Sequence, residues 1–182
     1  VGEIPLENVR EMRLRLPPAF QSAVEQLGVH SAEEAIRILE GYADQSDPEN
    51  YYPVPGNLAS RASYELTRYY RAHGQAEQAG KWALAYDPDL LPQAAPVPWL
   101  KLYRKLATTP DDDFFAEART HRDSADLAGR AEIDFLIAVA HELRGELSEA
   151  LAAHGRAYSP SGSLLNPFGE KSLDRSIEIL RN

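Results

Sequence analysis

Apolar residues recur along this chain at helical spacing, and glycine, proline and aspartate interrupt them at regular stations. Phe20, Val24 and Leu27 stand at i, i+4 and i+7 before Gly28, which predicts a first helix from Ala19. Ser31-Ala32-Glu33-Glu34 has the form of a capping box, and Ala35, Ile36, Leu39 and Tyr42 follow it on one face. A long connection, Asp44 to Asn57, is rich in Asp, Asn, Pro and Gly; Asn57 can cap the helix that then runs to about His73. After Gly74 a helix from about Gln75 to Tyr86 ends at Asp87-Pro88-Asp89. Trp99, Leu102, Tyr103 and Leu106 precede a turn near Thr108 to Asp111, and Phe114, Phe115 and Ala118 follow it. Asp111, Asp112 and Asp113 suit the positive end of that next helix. A fourth unit starts near Ser124, with its main helix from about Arg130 to Arg144; Leu147, Ala150, Leu151 and His154 come after the Gly145 turn. Ser159 to Gly169 reads as a loop, and Leu173, Ile177 and Leu180 predict a last helix from about Glu170 to Arg181. Period-2 alternation occurs at Met12-Arg13-Leu14-Arg15-Leu16, a short strand or extended linker stopped by Pro17-Pro18. Residues 1–16 are therefore an entry segment or linker, and 17–182 a single helical domain.

One signature occurs twice. Leu66, Tyr69, Tyr70, Gly74, Ala79, Trp82 and Pro88 form the first copy; Ile137, Ala138, His141, Gly145, Ala150, Ala157 and Pro160 form the second. In each, Gly supplies the left-handed cap of one helix and a small Ala five residues later lets the next helix approach closely. The two glycines are about two periods of roughly 34 residues apart. On these residues, 57–160 resembles tetratricopeptide repeats. The match is good for the second and fourth hairpins and poor for the first and third, and Ser63 and Asp134 stand where the family's repeats usually begin on Trp. The resemblance implies an all-α, right-handed stack of helical hairpins, an α-solenoid, with a C-terminal capping helix. It also implies a concave groove lined by the first helix of each hairpin. Carried over, the second unit offers Arg61, Tyr64, Arg68 and Arg71, and the third Lys101, Arg104 and Lys105; the fourth would present Glu132, Phe135, Val139 and Glu142. Periodicity independently places Arg61, Arg68 and Arg71 on one helix face. Such a groove implies a protein or peptide partner with an acidic segment or a free C-terminal carboxylate.

Composition narrows the classes. Of 182 residues 43% are hydrophobic and 26% charged, as in a folded globular chain, and the net charge of −9 opposes nucleic acid and anionic membranes. The chain has no Cys, which removes disulfides, thiolate nucleophiles and Cys-based zinc sites. His141-Glu142 begins like a zinc-protease motif, but Gly145 stands where the second His is required. Asp111-Asp112-Asp113 lacks the alternating ligands of a calcium loop, Ser159 to Ser163 is no nucleophile elbow, and no glycine-rich phosphate loop occurs. The expectation is a non-enzyme with no catalytic residues, no metal and no cofactor. No apolar run approaches the ~18 residues of a membrane span. Val1-Gly2-Glu3-Ile4-Pro5 carries no Met and no signal-peptide pattern. We therefore expect a cytoplasmic piece of a longer polypeptide, and the excess of Arg over Lys points to a GC-rich bacterium. Two roles remain open: the sensing or scaffold part of a larger protein such as a regulator, or a helical accessory domain positioning a catalytic domain or its substrate.

Overall fold

The computed structural model describes residues 16–28, 32–44, 57–85, 100–108, 110–158 and 166–181. Among these the chain is all-helical, as the pattern predicts. Its elements are α1 (Pro18–Gln26), α2 (Glu33–Ala43), α3 (Leu58–Ala72), α4 (Ala76–Ala85), α5 (Leu100–Thr108), α6 (Asp112–Ser124), α7 (Leu127–Leu143), α8 (Leu147–Tyr158) and α9 (Pro167–Arg181). Outside the described residues lie the alternating segment but for Leu16, Ser31 of the capping box, most of the Asp44–Asn57 connection, Asp87-Pro88-Asp89, Trp99 and the 159–165 stretch. The chain forms two compact units, residues 1–66 with 85–95 and residues 67–84 with 96–182.

In the first unit α1 opens with Pro18 inside its first turn, where a fixed φ helps and the missing N–H is not needed. Phe20 and Ala23 of α1, and Ala35, Leu39 and Ala43 of α2, are buried, and the Phe20 and Tyr42 rings meet edge to face at 5.4 Å. Ala32 occupies the cap position of α2, with Glu33 and Glu34 in its first turn. Asn57 caps α3 as predicted: its Oδ1 accepts from the Ser60 N–H at 2.7 Å.

The second unit is built around α7, which packs against α5, α6, α8 and α9. All residues from Ala131 to Ala140 are buried, and this enclosed stretch is apolar all round but for Glu132 and Asp134. This corrects one expectation: Glu132, Phe135 and Val139 line no groove, because they lie inside the unit. Both signature glycines do what the pattern requires. Gly74 and Gly145 carry φ of 65° and 74°. Each ends its helix with the same pair of bonds: the Gly74 N–H to the Arg71 carbonyl and the Gln75 N–H to Tyr70, repeated as Gly145 to Glu142 and Glu146 to His141. Gly28 is not left-handed. Ala79 and Ala150 are fully buried. α4 and α5 approach closely at Gly80, where an added Cβ would lie 2.7 Å from the Tyr103 carbonyl oxygen and 2.9 Å from the Ala107 Cβ of α5.

Helix starts are set by short polar side chains. Asp111 Oδ1 accepts from Phe114 N–H at 2.9 Å and Asp126 Oδ1 from Gly129 N–H at 2.8 Å, so α7 begins three residues before the expected Arg130. Asn166 Oδ1 accepts from Phe168 N–H at 2.9 Å ahead of Pro167, which starts α9 inside the stretch read as loop. α9 packs through Phe168, Gly169 and Ser172. Leu173, Ile177 and Leu180, whose spacing predicts this helix, are exposed.

Candidate functional site

The polar chemistry of the second unit is organised by carboxylates that α7 carries into the interior. Glu132, 2% exposed, receives two parallel bonds from Arg71, at 2.6 Å from Nε and 2.7 Å from Nη2, and a third at 2.6 Å from the Tyr103 hydroxyl. The pairing with Glu132 raises the Arg71 pKa further above its ordinary value. Burial, reinforced by the Glu132 charge, pushes Tyr103 well above the usual phenol range. This arrangement ties α3, α5 and α7 together.

A second set joins the far end of α7 to α8, α9 and α4. Glu142 accepts from the buried His154 Nε2 at 2.6 Å and from Arg175 Nη1 at 3.1 Å, and Arg175 Nη2 also donates to Glu77 at 2.6 Å. Burial pushes the Glu142 carboxyl up, but the bonds from His154 and Arg175 outweigh it and hold the group below the usual carboxylate range. His141 Nδ1 donates to Glu146 Oε2 at 2.6 Å and its ring stacks on Phe115 at 4.5 Å. Among the described residues no three His, Asp or Glu side chains gather where a metal ion could bind. Among those residues, too, no helix is long and apolar enough to cross a membrane.

The seven basic and aromatic residues read from the resemblance are distributed as follows. Arg61 and Tyr64, both half-buried, belong to the first unit; Arg68, exposed, and Arg71 follow on the same helix within the second. On α5, Lys101 is exposed and Arg104 half-buried, while Lys105 Nζ lies 2.7 Å from Glu117 Oε2. The bond from Lys105 holds Glu117 below the usual carboxylate range against a smaller opposing effect of burial. Arg71 and Lys105 are thus engaged with carboxylates of their own unit.

The open surface that the residue pattern did not single out lies on α9. Leu173, Ile177 and Leu180 form a row 40%, 39% and 74% exposed. On another face of α9 a cavity of about 520 Å³ opens between α4 and α9, walled by Glu77, Gln78, Lys171, Asp174, Arg175 and Glu178. The i, i+4, i+7 spacing was visible in the sequence; which face of α9 turns inward was not. Comparison with protein families, with curated proteins and with solved structures finds no match to this chain.

Proposed function

We propose that this chain is a protein-interaction module, a stack of helical hairpins similar to tetratricopeptide repeats that takes a peptide or protein partner as part of a larger bacterial protein such as a regulator. The hairpin reading draws on the matched closures at Gly74 and Gly145. The observation that carries the function is the row Leu173, Ile177 and Leu180 on α9. Single exposed leucines are ordinary on a folded surface, but three in line on one helix offer a continuous apolar strip of the kind an amphipathic partner helix covers. The basic residues of α5, Lys101 and Arg104, supply a place for an acidic segment of the partner. Charge-assisted bonds from arginine are stronger than neutral ones and fall off with added salt.

The test immobilises the chain and compares what three forms retain from an extract: the native sequence, Leu173→Ser with Ile177→Ser, and Lys101→Glu with Arg104→Glu. All four side chains are exposed or half-buried, so each form keeps its fold. A protein lost with the α9 variant supports the reading, and one lost with the α5 variant alone moves the contact to the basic residues. Retention that is identical in all three forms refutes it.

A further inference from the structure

Two arginines from different helices converge on a single buried oxygen. Asp134 of α7 is fully buried, and its Oδ1 accepts from Arg122 Nε of α6 at 2.8 Å and from Arg156 Nε of α8 at 3.3 Å. The two Nε atoms therefore lie within about 6 Å of each other. Asp134 Oδ2 has no partner among the described residues. Neither guanidinium makes another side-chain bond there, so the terminal Nη groups of both remain uncommitted, on side chains 31% and 47% exposed. A closed arginine–carboxylate pair takes both oxygens with two parallel bonds, as Arg71 does on Glu132. Here the aspartate acts as an anchor that holds two cations side by side, a placement their mutual repulsion opposes. Three charges leave a net of +1, and Asp123 adds negative potential at Arg122. That balance suits a singly charged anion and disfavours a doubly charged one.

The geometry points to a carboxylate-binding site on this surface, in which the Nη groups of Arg122 and Arg156 donate to the two oxygens of the ligand while Asp134 fixes their spacing from beneath. Arginine's planar fork matches a carboxylate with two in-plane bonds, which a lysine at the same place could not supply. The site is independent of α9 and α5 and stands or falls apart from the interaction reading.

The experiment titrates the ¹⁵N-labelled chain with sodium acetate near pH 7, with sodium chloride at equal ionic strength as reference, and follows the arginine Nε–H resonances by nuclear magnetic resonance. Arg122 and Arg156 should shift saturably, with a dissociation constant of millimolar order, while Arg119 and Arg130 respond as they do to chloride. In Arg156→Gln the saturable shift at Arg122 should weaken at least about tenfold, one fork having been removed. Arg122 still satisfies Asp134 in that variant, so its thermal transition should persist. Arg156→Lys keeps the charge without the fork and should bind several-fold more weakly than the native chain, which tests the site even where the glutamine form does not fold. Inorganic phosphate binding more tightly than acetate would overturn the carboxylate assignment. Shifts indistinguishable from those in chloride, or undiminished in both Arg156 variants, would overturn the site itself.

Discussion

Arg71→Ala is the most informative single perturbation, because it separates a buried anchor from a surface ornament. In the native chain Glu132 is 2% exposed and holds both prongs of Arg71 together with the Tyr103 hydroxyl. Removing the arginine leaves a buried carboxylate with one neutral donor. Breaking a buried pair from one side costs about 3–5 kcal/mol, whereas an exposed pair contributes about 0–1. Arg71 itself is 31% exposed, so water can enter the vacated space and the lower end applies, about 3 kcal/mol. For a unit of roughly 100 residues each kcal/mol moves Tm by about 4–8 °C, which predicts a fall of at least about 12 °C. Urea unfolding followed by circular dichroism gives the same quantity at 25 °C. Glu132→Gln discharges the acceptor and keeps it bonded, so it should cost less than Arg71→Ala. The double variant should cost about 1–2 kcal/mol less than the sum of the two, because no charge is left stranded. An Arg71→Ala chain within about 0.5 kcal/mol of native, or strictly additive costs, would refute the reasoning.

Three further outcomes follow from the backbone and the carboxylates. Gly80→Ala forces a methyl group to 2.7 Å from the Tyr103 carbonyl oxygen and should cost about 1–3 kcal/mol or more, whereas Gly155→Ala, in open space on α8, should stabilise by about 0.5–1 kcal/mol; equal urea midpoints would contradict the packing described. Gly145→Ala meets no neighbour but must hold φ at 74°, so it should lose about 1–2 kcal/mol, while Gly74→Ala, with the same φ problem and Lys171 and Pro167 against it, should lose more. Glu142 has a folded pKa below its unfolded value, so its contribution is present above the ordinary carboxylate value of about 4.3 and is lost as pH falls from there through the lower folded pKa; urea midpoints between about pH 6 and pH 3 should drop more steeply for the native chain than for Glu142→Gln, and parallel curves would remove Glu142 from this account.

Local chemistry made much of the helical layout readable. The all-α class, the caps at Asn57 and Asp111, the left-handed turns at Gly74 and Gly145 and the burial of Ala79 and Ala150 depend on interactions within a few residues, and residue type decides those. Two starts were also legible and lay in plain signals: Asp126 before α7 and Asn166-Pro167 before α9. What the linear pattern could not settle is which face of each helix turns inward. Leu173, Ile177 and Leu180 have the spacing of a core stripe, yet Phe168, Gly169 and Ser172 carry the packing of α9, because α8 and α7 meet it on that side. Glu132 and Asp134 look like surface residues in any window of sequence. The enclosure of α7 by α5, α6, α8 and α9 buries them, and donors from other helices, Arg71, Tyr103, Arg122 and Arg156, make that burial tolerable. Helix formation is decided between near neighbours; the facing of those helices, and with it the surface left open to a partner, is decided by contacts made across the fold.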